Sequence, residues 1–244
     1  MSAEAGPLAL VGGDELNPGN EPQDEVLVRA AGDGPAYVIV TAAARHHPEL
    51  AVANAQRWFG GLGLAVEELP ALRRSDVRAP DNVRRARSGR FFYIVGGDPG
   101  LVSSVLRGSP LWEAVTAAWR EGAALGGSSA GAMALGEWTL VRERHPGDDR
   151  RRYAPALNLV PGIAVVPHFE TFGHRWVDGA SEAAPSDDVV LLGLDERTAA
   201  IWQDGVWTCL GAGGITIIRA GRRQRFASGD LLEDLPAPRA ADPS

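Results

Sequence analysis

Residues 123–134 read Ala123-Ala124-Leu125-Gly126-Gly127-Ser128-Ser129-Ala130-Gly131-Ala132-Met133-Ala134. An apolar run leads in, two glycines and two serines follow, and a run of small residues leads out. The first part suits a buried strand and the last part a short helix. Gly127 to Gly131 matches G-x-S-x-G, and strand–turn–helix is the context in which that pattern presents a nucleophile. The serine then tops a tight turn whose glycine neighbours remove Cβ clashes. Its hydroxyl faces a helix N-terminus, where the helix dipole favours negative charge. On this reading Ser129 attacks and the Ala130 N–H is one oxyanion donor. The plainer reading is a glycine-rich turn that packs a helix onto a sheet.

Other apolar runs end in the same manner. Leu8-Ala9-Leu10-Val11 runs into Gly12-Gly13-Asp14-Glu15, and the run 36–40 into Thr41-Ala42. The run 91–95 ends at Gly96-Gly97-Asp98, 163–166 at Pro167-His168, and 189–192 at Gly193-Leu194-Asp195-Glu196. Short runs without alternation suit strands covered on both faces, as in parallel sheets. Helical patterns fill residues 48–59, 101–106, 111–120 and 130–135. Strands alternating with helices predict an open, doubly wound α/β sheet, with ligands gathering at the strand ends. The C-terminal third predicts a hairpin, 198–202 against 206–210 around an Asp204-Gly205 turn, and a further strand at 214–219. One domain is expected over 1–244, with a loose tail at 236–244.

Composition excludes several chemistries. The chain has 244 residues, and its 24 cationic side chains are all arginine. Without lysine there is no Schiff-base chemistry, no Ser-Lys dyad and no P-loop lysine. The net charge of −7 argues against a nucleic-acid partner. Arg73, Arg74, Arg78, Arg84, Arg85, Arg87 and Arg90 cluster, but no aromatic interleaves before Phe91. A solvated helix face is therefore favoured over a phosphate-binding patch. The single cysteine, Cys209, excludes an internal disulfide and reads as a buried small hydrophobe. No signal peptide and no membrane span are read, so a cytoplasmic protein is expected. No cofactor and no metal are expected.

A serine nucleophile needs a base, and five histidines are available: His46, His47, His145, His168 and His174. His168 alone follows an apolar run at a strand end, 39 residues after Ser129. The acid is open between Glu196, at another strand end, and Glu143 or Glu137, nearer in sequence. Asp195 reads as a capping residue. In the Gly96-Gly97-Asp98 turn, Gly97 is the candidate second oxyanion donor and Asp98 the alternative. Asp98 and Arg175 are the candidate substrate-binding side chains.

With these residues placed, the chain resembles the S51 serine peptidases, the family of cyanophycinase and the aspartyl dipeptidases (peptidase E). The ordered landmarks are Gly12-Gly13, Thr41-Ala42-Ala43, Gly96-Gly97-Asp98, Gly127-Ser128-Ser129-Ala130-Gly131-Ala132, His168-Phe169 and Gly193-Leu194-Asp195-Glu196-Arg197-Thr198-Ala199. The resemblance implies a three-layer α/β sandwich like class I glutamine amidotransferases, with Ser129 as nucleophile and His168 as base. It implies Glu196 as the acid on the cyanophycinase pattern, or an acid near Glu143 on the dipeptidase pattern; the match around Glu196 favours Glu196. Pro99 stands where cyanophycinases have Gln, Val166-Pro167 where they have Asp-Gln, and Phe172, His174 and Val177 where they space arginines. The expected function is hydrolysis of an amide bond in a small peptide. The alternatives are an esterase, whose triad order would be Ser, acid, His, and a binding protein that kept the fold. The expected partner is a small peptide or amide, without nucleic acid or membrane, and a homodimer is left open.

Overall fold

The structure is a computed structural model that describes residues 4–142 and 151–239. Five parallel strands form its centre: β1 (Leu8–Val11), β2 (Ala36–Ile39), β3 (Glu67–Glu68), β4 (Phe91–Ile94) and β5 (Ala124–Ser128). They lie in the order β1-β5-β4-β2-β3. Along β1 the side chains alternate between two cores. Leu8 and Leu10 enter one apolar cluster, and Ala9 and Val11 the other. Both faces are dry, which is why the run shows no polar alternation. The predicted hairpin forms as β10 (Thr198–Gln203) and β11 (Val206–Gly211), and β10 adds antiparallel to β1. Asp204 and Gly205 both adopt positive φ, 52° and 82°, as a two-residue type I′ turn requires.

The mixed α/β class read from the sequence holds, but the strands divide between two sheets. The second sheet has the order β13-β12-β9-β8-β6-β7. Its members are β6 (Gly136–Arg142), β7 (Arg151–Pro155), β8 (Val160–Val166), β9 (Val190–Leu194), β12 (Ile215–Arg219) and β13 (Arg222–Phe226). The runs ending before His168 and Glu196 are β8 and β9, so they belong to this sheet and not to the central one. An apolar strand sequence encodes burial, and which sheet it joins is decided by long-range pairing.

The helices are α1 (Glu21–Ala31), α2 (Pro48–Gly61), α3 (Pro80–Ser88), α4 (Pro99–Leu106), α5 (Pro110–Arg120), α6 (Ala130–Leu135) and α7 (Val177–Glu182). Four of them begin with proline, whose fixed φ and missing N–H suit the first helical position. Asp98 and Ser109 cap α4 and α5 by accepting the backbone N–H groups of Leu101 and Trp112. Helix α6 can follow β5 so tightly because of its glycines. A Cβ on Gly127 would lie 2.7 Å from the Gly131 carbonyl carbon, and one on Gly131 would strike the Ile94 carbonyl. Of the tail expected to be loose, residues 236–239 are held: Pro236 accepts from the Trp207 indole, and the Arg239 N–H donates to Leu159. Residues 240–244 lie outside the described residues.

Helix α1 carries an acid that its apolar surroundings penalise. Asp24 is buried and accepts the Trp58 indole N–H at 2.8 Å. Burial pushes its carboxyl up to about 7, and the nearby charges of Glu15 and Glu21 add to this. In the unfolded chain the same group titrates near its ordinary value of about 3.9. The folded protein therefore holds the proton over a window where the unfolded chain has lost it. Stability falls as pH rises from about 4 to about 7 and then levels off. Asp24→Asn should remove this slope and gain stability relative to wild type toward pH 8, as read from urea unfolding across that range.

Candidate active site

Three consecutive carbonyls at the end of β1 organise the site. The Val11 carbonyl accepts the Ser129 N–H at 2.9 Å, and the Gly12 carbonyl accepts the His168 N–H at 2.7 Å. The Gly13 carbonyl accepts the Arg197 N–H, next to Glu196, at 3.0 Å. Ser129 leaves β5, His168 leaves β8, and Glu196 leaves β9. One short segment thus receives the ends of three strands from two sheets.

The side chains meet in a line. Ser129 Oγ lies 3.1 Å from His168 Nε2, and His168 Nδ1 lies 2.8 Å from Glu196 Oε1. The imidazole is mostly shielded, its side chain 20% exposed against 36% for Glu196. Ser129 has φ 48° and ψ −110°, and His168 has φ 49°. Such backbone costs about 1–3 kcal/mol per residue and persists only where surrounding contacts impose it. Phe172 stacks on the imidazole at 4.9 Å between ring centres, and the missing side chain of Gly13 leaves room for the ring. Asp195 holds the Glu196 turn: its Oδ2 accepts from Gly214 N–H and from Arg225, at 2.8 and 2.6 Å. Arg225 also reaches Glu170, two residues past His168.

At the end of β4, two of three backbone donors are committed. The Gly96 N–H donates to Glu15 Oε1 at 2.6 Å, and the Asp98 N–H to the Ala42 carbonyl at 2.9 Å. The Gly97 N–H lies between them. This removes Asp98 as the alternative backbone donor. The Asp98 carboxylate caps α4 and sits 3.6 Å from Arg45. Arg175 is exposed on the short 3-10 turn Gly173–Trp176, three residues past the phenyl that stacks on His168. Glu143 and His145 lie outside the described residues. Glu137 accepts the Gly162 N–H at 2.8 Å, a structural bond. Cys209 is buried and burial pushes its thiol up to about 11, in keeping with a packed hydrophobe.

A cavity of about 900 Å³ opens beside Gly97 and Asp98. Arg45, Arg107, Arg142 and Arg152 contribute to its wall, with α4 on one side and the β6–β7 hairpin on the other. These arginines are scattered along the chain, and only the fold collects them. Among the described residues, no three acidic, histidine or cysteine side chains gather as a metal site. No described helix is long and apolar enough to cross a membrane.

Comparison with known proteins agrees with the landmarks. The family model described as peptidase family S51 matches residues 8–209, and the chain belongs to that family. It is similar to cyanophycinase of Synechococcus elongatus, with 29% identity over 150 residues, which are 59% of this chain and 46% of that protein. The cyanophycinase of Thermosynechococcus vestitus gives the same figures. The chain therefore spans about half the length of the curated relatives it matches. The crystal structure of a peptidase from an acI-B1 actinobacterium superposes with a TM-score of 0.82 at 26% identity, covering 95% of this chain and 98% of that one. A putative peptidase E from Listeria monocytogenes EGD-e shares the fold, with a TM-score of 0.59 at 16% identity over 88% of this chain and 98% of that one.

The Gly13 contact is directly testable. Gly13 has φ 117°, and a Cβ there would overlap the His168 ring. Gly13→Ala should strain the backbone by about 1–3 kcal/mol, lowering the melting temperature. It should also displace the imidazole and lower peptide turnover by about 100-fold, the scale expected for an ångström of misplacement.

Proposed function

We propose that this member of the S51 family is a serine-type peptidase that hydrolyses an amide bond in a small peptide. The hydrogen-bonded line from Ser129 Oγ through His168 to Glu196 carries the proposal. His168 Nε2 takes the hydroxyl proton as Ser129 Oγ attacks the scissile carbonyl. Glu196 accepts the Nδ1–H, holding the tautomer and stabilising the imidazolium that forms. The Gly97 and Ala130 N–H groups receive the charge that develops on the carbonyl oxygen. The imidazolium then protonates the leaving amine, and water releases the acyl group from Ser129 by the reverse proton path.

The order of the three residues, Ser, His, acid, favours this reading over an α/β-hydrolase esterase, whose acid precedes its histidine. The arginine-walled cavity beside Gly97 supports a substrate that carries a carboxylate, because guanidinium binds carboxylates through paired charge-assisted hydrogen bonds. Asp98, on the same wall, would meet a substrate amine, and Arg175 would take a carboxylate only in a substrate that reaches its turn.

The test is a screen of α-aspartyl, isoaspartyl and neutral dipeptides against wild type and variants. Ser129→Ala should abolish turnover of every peptide the wild type cleaves; retained turnover ends the proposal. Glu196→Gln should lower kcat by about 10⁴-fold, as expected when the imidazole loses its orienting carboxylate. Arg107→Ala should raise KM for acidic peptides about tenfold and leave kcat unchanged, the loss of one charge-assisted contact.

A further inference from the structure

Glu15 is absent from the line of three residues, yet it touches the turns on both sides of it. Its Oε1 accepts the Gly96 N–H at 2.6 Å, and its Oε2 accepts the Ser128 hydroxyl at 2.9 Å. Gly96 is one residue from Gly97, and Ser128 one residue from Ser129. A Cβ on Gly96 would lie 2.7 Å from Glu15 Oε1, so a glycine there lets the carboxylate approach. We propose that Glu15 is a positioning residue that locks the β4 and β5 turns together and so sets the distance between the oxyanion donor of Gly97 and the nucleophile Ser129. The inference rests on the triad reading above and adds a group that no family landmark names.

The clamp works from both sides of Gly97. Gly96 is fixed by Glu15, and Asp98 is fixed by the Ala42 carbonyl. The peptide between them has little freedom left, so the Gly97 N–H is aimed before substrate arrives. This is preorganisation, in which a donor costs no reorientation at the moment charge develops. The setting strengthens the clamp. Tyr93 is fully buried next to Ser128, and burial, with the charges of Asp24 and Glu15, raises its phenol well above the ordinary range. The phenol therefore stays neutral in a dry region, where hydrogen bonds are stronger and misplacement is more costly than in water.

Glu15→Gln, Glu15→Ala and Ser128→Ala are compared with wild type and Ser129→Ala in the full chain, on the α-aspartyl or isoaspartyl dipeptide cleaved fastest. Glu15→Ala should lower kcat by about 100-fold, the low end for loss of one oxyanion donor, with KM within about twofold of wild type. Glu15→Gln should recover most of that loss, because its amide oxygen still accepts the Gly96 N–H and its NH₂ can donate to Ser128. An unchanged kcat in Glu15→Ala, a loss confined to KM, or a Gln variant no better than Ala would each overturn the inference. Should Glu15→Ala fail to fold by thermal unfolding, Ser128→Ala decides: a several-fold fall in kcat at unchanged KM supports the clamp, and an unchanged kcat overturns it. Turnover by Ser129→Ala, or no cleavage by wild type, would instead overturn the triad reading.

Discussion

The hydrogen bond between Ser129 and His168 joins the ends of two separate sheets. Ser129 closes β5 of the seven-stranded sheet, and His168 follows β8 of the six-stranded one. For 3.1 Å to separate them, the sheets must be aligned to within a fraction of a residue. That alignment comes from backbone. The carbonyls of Val11, Gly12 and Gly13 take the N–H groups of Ser129, His168 and Arg197, and the Gly12 N–H returns to the Thr198 carbonyl. The two apolar clusters supply the force that holds the layers together. The carbonyls supply the register.

Much of this was visible in the chain. G-x-S-x-G announces its own geometry, because both glycines are required by a helix that begins one residue after the serine. His168 stood out because only one histidine follows an apolar run, and the Asp-Gly hairpin was spelled out by its turn. What the sequence hid was long-range. Glu15 sits 81 residues from Gly96 and 113 from Ser128, and beside Gly12-Gly13-Asp14 it reads only as a polar strand end. The split into two sheets was hidden for a related reason: β8 and β9 are as apolar as β1 or β4, and pairing partners leave no local mark. Helices α1, α3 and α7 were missed because α1 mixes charge with apolar residues, α3 is dominated by arginine, and α7 is short with a glycine inside it.

The arginine-rich stretch shows the same division between local and distant information. Arg73 pairs with Asp76, Arg84 with Asp81 and Arg85 with Glu67, each pair having at least one exposed partner. These are the exchanges of a solvated surface, each contributing little to stability. The arginines of the proposed substrate site are elsewhere, brought to one cavity wall from β6, β7, the residue after α4 and the turn after β2. A run of like charge in the sequence was thus a poor guide to where charge is used. The missing lysine was a better one, because it leaves histidine as the candidate base for Ser129.

The contacts of residues 11–13 with the three strand ends are made by carbonyl oxygens, which every amino acid supplies. Substitution at Val11 leaves all three bonds intact so long as the packing is kept. Insertion or deletion of a single residue between 11 and 13 would put the carbonyls that follow it out of step with the one before, and Glu15 with them. The segment is thus intolerant in its length, as well as at Gly12 and Gly13, where a Cβ would strike the Asp195 carbonyl and the His168 ring. Relatives that diverge in sequence while keeping this chemistry are therefore constrained here by spacing as well as by identity.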